Sequence, residues 1–280
     1  MKLSQESAHI FVPDQTPLAD ALSRTTHLGI GAHPDDLEIM AAHGILECFG
    51  SREHWFTGVV VTDGAGSARS FAYHAHTDEQ LKAVRRAEQL KAAYLGEYAA
   101  QFLLDHPSSA VKSVERAGVL ADLVEILRNT RPELVYTHNL ADKHDTHVAV
   151  ALSVIAACRA LEPSERPRRL LGGEVWRDLD WLCDADKVPL PLDRHEHLQS
   201  ALLGVFDSQI AGGKRYDLAT AGRRRANATY SESHGTDQHT ALSWAMDLTP
   251  LMHAGEPDAY VADLLRRFEG DVAARIRRLR

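Results

Sequence analysis

Histidine and aspartate side chains gather at two places in the sequence, and these residue types bind metals and transfer protons near neutral pH. His33, Asp35 and Asp36 stand together directly after a short apolar run. His144 and His147 stand three residues apart, so both can face the same side of a helix. One of these two histidines can bind a metal while the other takes part in catalysis. The alternative is structural, because aspartate often caps the start of a helix.

Three protein ligands of the His/Asp type with a fourth position left open are typical of a catalytic zinc site rather than a structural one. The metal of such a site polarises a carbonyl and lowers the pKa of water, and a nearby carboxylate can then deprotonate that water. This chemistry requires the two groups of residues to meet in the folded chain.

The elements predicted around these residues would bring them together. Strands are predicted at His27 to Gly31, Thr57 to Thr62, Leu134 to Thr137 and Leu170 to Trp176. Helices are predicted at Asp36 to Phe49, between a Thr77 cap and Gly96, around Val114 to Leu127, and at Val148 to Ala160. The alternation predicts an α/β, Rossmann-like fold with a mostly parallel sheet and helices on both faces. Ligands bind outside the carboxyl ends of such strands, so the two groups meet if their strands are neighbours.

The length of 280 residues suits one large α/β domain. We expect residues 1–280 to form that domain, with a core at about 27–176 and a mainly helical C-terminal elaboration at about 177–280. The stretch Ala262 to Leu279 predicts an amphipathic helix, for which packing or homo-oligomerisation is the expected role.

The composition excludes several classes of partner. The net charge of −8 would repel a phosphate backbone, so we expect no nucleic-acid partner and interpret the basic run Arg223 to Arg225 as solvated. No apolar run approaches the roughly 18 residues that span a bilayer, and the N-terminus carries no secretory signal. The three cysteines are far apart and lack paired spacing. We therefore expect a cytoplasmic protein without a membrane contact.

The stretch Ala32-His33-Pro34-Asp35-Asp36-Leu37-Glu38 resembles the AHPDD-x-E signature of the LmbE/PIG-L family of metal-dependent N-acetylglucosaminyl deacetylases, and the segment from His144 to His147 is similar to the family's second His-rich motif. Further similarities lie in Thr62 to Gly66 and in Arg85, Glu88, Ala92, Leu95 and Gly96. The resemblance covers about residues 27 to 230. It implies a Rossmann-like fold, a metal held by His33, Asp36 and His147, and Asp35 as the general base.

The resemblance also implies a reaction, which is hydrolysis of the acetamide of an N-acetylglucosamine-type sugar or conjugate to acetate and a free amine. The expected metal is zinc, with ferrous iron as the alternative, and the expected partner is a small amino-sugar substrate. Two other functions stay open. One is the same chemistry on a thiol conjugate of an amino-sugar pseudodisaccharide, and the other is non-catalytic binding of a metal or sugar. Asp35 argues against pure binding, which needs no base beside the ligands.

One position departs from the family pattern. The second motif usually reads His-x-Asp-His, whereas this chain has Thr146 in place of the aspartate. We expect His144 to be catalytic rather than a ligand, because a fourth protein ligand would occupy the open position. Protonated, it would donate a hydrogen bond to the developing oxyanion, and Asp142 and Asp145 are the candidates for keeping it charged.

Other candidates carry weaker signals. Arg69 lies in a long loop between Asp63 and Thr77, where it would bind a sugar hydroxyl or an anionic group of the substrate. The remaining polar-loop histidines are expected to be solvated: His74, His76, His195, His197, His234 and His239.

Overall fold

A computed structural model describes residues 1–280 and contains one eight-stranded sheet. The strands are β1 (His9–Phe11), β2 (His27–Gly31), β3 (Phe56–Thr62), β4 (Ala100–His106), β5 (Leu134–His138), β6 (Arg169–Gly173), β7 (Lys187–Pro191) and β8 (Leu242–Asp247). Their order across the sheet is β1-β4-β3-β2-β5-β6-β8-β7. The five strands from β4 to β6 in this order pair in parallel, whereas β1, β8 and β7 pair antiparallel at the two edges. The predicted Rossmann-like α/β fold is confirmed.

The helices connect the strands and flank the sheet. They are α1 (Leu18–Ser23), α2 (Asp36–Met40), α3 (Ala42–Cys48), α4 (Asp78–Leu95), α5 (Ser108–Lys112), α6 (Ala117–Thr130), α7 (Asp145–Arg159), α8 (Glu196–Gly204), α9 (Asp207–Ile210), α10 (Tyr216–Thr229) and α11 (Pro257–Leu279). Successive residues of β3 belong to different apolar clusters, Val59 and Val61 to one and Val60 to the other. Since successive side chains of a strand point to opposite faces, the sheet is buried on both sides, as a parallel sheet must be.

The predicted cap of the helix after the long loop is confirmed. The Thr77 hydroxyl accepts a hydrogen bond from the Gln80 backbone N–H, and the Gln80 side chain accepts one from the Thr77 N–H. This reciprocal pair is a capping box, which satisfies two amides that the first turn of α4 leaves free.

The single helix predicted from Asp36 to Phe49 is wrong, because the chain leaves the helical conformation at Ala41 and forms α2 and α3. The break frees backbone carbonyls, and Arg224 from α10 donates hydrogen bonds to those of Glu38 and Ile39. Arg224 is therefore buried, and the interpretation of the whole basic run as solvated is wrong at this residue.

The C-terminal part is mainly helical, as predicted, and it also contains two strands. The strands β7 and β8 extend the sheet next to β6, and β7 contains Pro189 and Pro191, which an edge strand tolerates. That residues 1–280 form one domain stays a prediction. None of the helices combines the length and the apolar character that crossing a bilayer requires.

The direction of the chain through the sheet reverses between β2 and β5. From β2 the chain proceeds to β3 and β4 on one side, and it returns to β5 and β6 on the other. The carboxyl ends of β2 and β5 therefore open into a crevice at a topological switch point, where α/β folds bind ligands. The two predicted groups of residues follow these two strands.

Candidate metal centre and catalytic cavity

Three side chains meet at this crevice. The Nδ1 atom of His33 lies 3.2 Å from Nε2 of His147 and 3.3 Å from Oδ2 of Asp36. The Nε2 atom of His147 lies 3.4 Å from the same Asp36 oxygen. The three atoms form a nearly equilateral triangle, and each carries a lone pair when the histidines are neutral and the aspartate is ionised.

The triangle fits a divalent metal. Ligands at about 2.0–2.1 Å from a tetrahedral ion lie about 3.3–3.4 Å from one another, which is the spacing seen here. Two imidazole nitrogens and one carboxylate oxygen form a donor set that zinc and ferrous iron both accept. The Nδ1 atom of His147 is 3.5 Å from Oδ1 of Asp142, so a carboxylate stands behind this histidine, as is usual for metal-binding imidazoles.

The backbone around Asp35 and Asp36 explains how these side chains are aimed. The Oδ2 atom of Asp36 accepts a hydrogen bond from the His33 backbone N–H at 2.7 Å, which closes the turn around Pro34. Asp35 adopts the left-handed conformation with φ of 85°, which is unusual for a residue other than glycine. Its backbone N–H donates to Oε1 of Gln89. Strain of this kind persists where the surrounding structure fixes a functional side chain.

Asp35 is buried beside the triangle but does not belong to it. Burial raises the pKa of its carboxyl well above the usual range, and the charges of Asp36 and Glu38 act in the same direction, while the Arg85 guanidinium opposes them. Nη2 of Arg85 lies 3.4 Å from Oδ2 of Asp35 and donates to the Pro34 carbonyl at 2.7 Å. A buried carboxyl with a raised pKa is suited to accept and return a proton.

A series of buried hydrogen bonds links Asp35 to Glu38 and Tyr98 through Gln89. Gln89, which accepts from the Asp35 N–H, donates through its own amide to Oε1 of Glu38 at 2.8 Å. The hydroxyl of Tyr98 donates to the same Glu38 oxygen at 2.8 Å. Burial raises the pKa of Glu38 to about 7. The glutamate of the first motif therefore acts on Asp35 through Gln89 and does not reach the triangle.

The charge states within the triangle favour metal binding. Burial disfavours the charged form of Asp36, but the nearby His147 and His138 prevail and hold its pKa well below the usual range. Burial lowers the pKa of His147 to about 4, so its imidazole is neutral at pH 7. Metal ligands must be deprotonated in this way.

A further histidine, His138, stacks on His147 with ring centroids 3.8 Å apart. It is the last residue of β5, and its Nε2 lies 3.4 Å from the Asp36 carboxylate. The same nitrogen accepts a hydrogen bond from the Ala32 backbone N–H at 2.9 Å, so its lone pair is already used. No role was predicted for this residue, although its position at the end of a buried strand was a usable signal.

His144 also faces the cluster, with its ring centroid 5.0 Å from that of His33 and 4.7 Å from that of His147. Neither expected acid contacts its ring. Asp142 accepts hydrogen bonds from the backbone N–H groups of His144 and Trp176 and faces the His147 ring, and Asp145 is exposed. Burial lowers the pKa of His144, and the neighbouring His33 lowers it further. The expectation of a charged His144 is therefore not supported by these contacts.

The cluster lies in a cavity of about 440 Å³, within the usual range for small-molecule sites. Its lining residues are His33, Asp35, Asp36, Gly64, Gly66, Ser67, Ala68, Arg85, Ser108, Lys112, His144, Thr146, Trp176, Gln209, Lys214 and Tyr216. Sequence reasoning missed Lys112, Trp176, Lys214 and Tyr216, which come from distant parts of the chain. Only Trp176, at the end of a predicted strand, carried a signal.

Arg69 does not line this cavity. Its guanidinium forms an ion pair with Asp78 and donates to the backbone carbonyls of Ala65 and His76. These contacts hold the loop against the start of α4. The polar-loop histidines also lie outside the cavity, and His239 pairs with Asp193.

Comparison with known proteins finds similarity to one family. Residues 28–158 match the family model described as PIG-L, GlcNAc-PI de-N-acetylase, and this segment contains the triangle, Asp35 and His144. The uncharacterised deacetylase YaiS of Escherichia coli (strain K12) is 29% identical over 151 residues, which cover 54% of this chain and 77% of that protein.

Two solved structures illustrate the range of the fold. The N,N'-diacetylchitobiose deacetylase from Pyrococcus horikoshii is 17% identical, with a TM-score of 0.63 over 83% of this chain and 87% of that one. GalB, the 4-carboxy-2-hydroxymuconate hydratase from Pseudomonas putida KT2440, is 17% identical, with a TM-score of 0.59 over 83% and 98%. At such identities the similarity shows the fold alone. Because a hydratase shares it, activity must be argued from the site.

Proposed function

We propose that this chain, whose residues 28–158 match the PIG-L family model of de-N-acetylases, uses a divalent metal to hydrolyse the acetamide of an N-acetylglucosamine-type sugar or conjugate. The observation that carries the proposal is the triangle of His33, Asp36 and His147 atoms beside the buried carboxyl of Asp35. Three ligands and a separate base are what metal-dependent amide hydrolysis requires, whereas a binding protein needs no base.

The three triangle residues would hold the metal, with zinc first and ferrous iron as the alternative. The chemistry supplied by such a metal is Lewis-acid polarisation of the amide carbonyl and a lowered pKa for water beside it. Asp35 accepts the proton of the attacking water and returns it to the departing nitrogen. Acetate and a free amine are the products, so no oxidant or other reactant is needed.

Arg85 and Gln89 position Asp35 for this proton transfer. The guanidinium contacts the carboxylate itself, while Gln89 fixes the backbone of the same residue. His144 faces the cavity and would donate an N–H to the carbonyl oxygen as charge develops there. Because burial and His33 lower its pKa, we infer that it acts as a neutral imidazole.

The cavity supports a polar small molecule as the substrate. Its lining is mostly polar or charged, and the aromatic rings of Trp176 and Tyr216 stand 6.0 Å apart in an edge-to-face arrangement. Rings of this kind pack against the apolar faces of sugars, while hydroxyl groups bond to the polar lining. The family description and the chitobiose deacetylase point to the same class.

The test is acetate release from a panel of neutral amino sugars, their glycosides, pseudodisaccharide thiol conjugates and simple acetamides. We expect release from amino sugars, loss after chelation, and recovery with added zinc or ferrous iron. Metal-loaded Asp35→Asn serves as the control, and its kcat should fall on the order of 10²-fold or more. Release that resists chelation, or that occurs only from simple acetamides, would contradict the proposal. Near-normal turnover by the variant would show that another group activates water.

A further inference from the structure

The helix α11 leaves the body of the protein after about three turns, where Arg267 pairs with Asp186 and Phe268 lines a groove of the body. Leu264 is its only buried residue, and the helix continues to Leu279 with its side chains largely in solvent. Five apolar residues are exposed in this part, namely Leu265 (50%), Phe268 (38%), Val272 (40%), Ile276 (51%) and Leu279 (78%). The part of α11 from residue 265 to residue 279 has about the length at which an isolated helix is marginal in water, so a packing partner would stabilise it.

The five residues form one continuous stripe. At 100° per residue they fall within a narrow sector of the helix surface, as the apolar positions of a helix pair do. Their spacings along the chain are three, four, four and three residues, which is symmetric about Val272. A stripe that reads the same in both directions is complementary to itself when a second copy is antiparallel.

We propose that α11 pairs with α11 of a second copy of this chain in an antiparallel, two-fold symmetric arrangement centred on Val272. Leu265 then packs against Leu279 of the partner subunit, and Phe268 packs against Ile276 of the partner subunit. All five exposed side chains of each helix become covered in this register.

The charges on α11 favour this direction of pairing. Arginines stand at positions 275, 277, 278 and 280, so a parallel pair would place each of these charges beside its own copy. In the antiparallel register, Asp271 comes within one helical turn of Arg275 of the partner subunit, on the same edge of the stripe. Asp271 already pairs with Arg275 of its own helix at 3.2 Å. The dimer therefore joins two ion pairs into one network.

A groove at the base of α11 lies where the end of the partner helix would pack. It measures about 310 Å³ and is lined by Ala141, Arg177, Trp181, Val261, Leu265 and Phe268. In the proposed register, Leu279 of the partner subunit lies beside Leu265 and enters this groove. Because the proposed contact is a single pair of helices, we expect it to bury less than the roughly 1,200–2,000 Å² of a stable interface and to give a reversible dimer whose population depends on concentration.

The first experiment measures the mass of the full chain by sedimentation over a concentration series. We expect a dimer, and Phe268→Lys should raise its dissociation constant by roughly 100-fold or more, because it places a charge at a central aromatic anchor. Val114→Lys is the matched control, since Val114 is 98% exposed elsewhere on the surface. A monomeric wild type, or a dimer that Phe268→Lys leaves intact, would overturn the proposal.

The second experiment tests the direction by disulfide formation in a Cys183→Ser background, where the remaining cysteines are buried. Val272→Cys should give a cross-linked dimer. Leu265→Cys alone should not, but should cross-link when mixed with Leu279→Cys. Efficient self-cross-linking of Leu265→Cys would show a parallel pair and overturn the register. A covalent adduct with a different protein at these positions would overturn the choice of partner.

Discussion

Two His–Asp groups at the carboxyl edge of the sheet use the same residue types in different ways. At the end of β4, Nε2 of His106 lies 2.9 Å from Oδ2 of Asp122, and both side chains are almost fully buried. At the ends of β2 and β5, Nε2 of His147 lies 3.4 Å from Oδ2 of Asp36, also in a buried position. The first distance is that of a hydrogen bond, and the second is that of two ligands of one metal.

The difference lies in what occupies the remaining polar atoms. Around His106, the Gln5 amide contacts Nδ1 at 3.3 Å, and Ser4 donates to Asp122 through both its N–H and its hydroxyl. The N-terminal segment thus closes the group. Around His147, three ligand atoms converge instead, because Nε2 of His147 lies 3.2 Å from Nδ1 of His33 and 3.4 Å from Oδ2 of Asp36. A His–Asp group becomes a candidate metal site where lone pairs converge beside a cavity instead of being used in hydrogen bonds.

The largest expected effect is the loss of metal on substitution of His147, compared with the same substitution at His106. His147→Ala should lose the metal and with it nearly all acetate release, far more than the roughly 10- to 100-fold that loss of an outer partner costs. His106→Ala is the matched control and should keep both. Elemental analysis and the acetate assay measure the two properties. Metal retained by His147→Ala, or lost from His106→Ala, would remove the distinction.

A smaller effect is expected at His144, which faces the triangle without belonging to it. His144→Ala should keep one metal per chain and lose roughly 10²- to 10³-fold in kcat, because one donor to the developing oxyanion is removed. Metal content and kcat are measured on the same preparation. Loss of metal would make His144 a ligand, and wild-type turnover would leave it without a catalytic role.

The smallest effect is expected for Asp122→Asn, which weakens the hydrogen bonds of this residue with His106 and Ser4. Since His106 and Ser4 bond to the carboxylate, they outweigh the effect of burial and lower the pKa of Asp122 below its usual value of about 4. The ionised form therefore stabilises the fold above about pH 4, and this contribution is lost as the pH falls through the lowered pKa. We expect the variant to lose about 1–3 kcal/mol of unfolding free energy at neutral pH.

Chemical denaturation at neutral and at strongly acid pH tests this prediction. The difference between wild type and Asp122→Asn should shrink in acid, while metal content and kcat stay unchanged at neutral pH. A difference independent of pH would assign the effect to shape rather than to charge.

The sequence predicted the central strands because each is a short, nearly continuous apolar run. It missed β4, whose run is interrupted by Gln101, a fully buried glutamine that bonds to Gln89 and to the Phe102 carbonyl. A polar residue with internal partners cannot be told from an exposed one by pattern alone. The strand β7 was missed because its prolines argue against a strand in a sequence. Only the three-dimensional structure shows that β7 lies at an edge, where prolines are tolerated.

The sequence predicted the meeting of the two His/Asp groups on the condition that their strands are neighbours, and the observed strand order meets that condition. The contact of Arg85 with Asp35 was not predictable, since it depends on how α4 is rotated against the sheet. The role of Asp142 behind His147 rather than beside the His144 ring likewise depends on the path of a loop, and the sequence specifies loop paths weakly.

The cavity is built from two stretches of chain that can diverge separately. The ligand triangle and Asp35 lie within residues 28–158, whereas Trp176, Gln209, Lys214 and Tyr216 form a wall that lies outside that segment. Substitutions in the wall change the shape offered to a substrate without touching the atoms proposed to break the bond. Over evolutionary time, such a chain can acquire new preferences while its reaction stays fixed, and descendants with the same chemistry need share little in their last hundred residues.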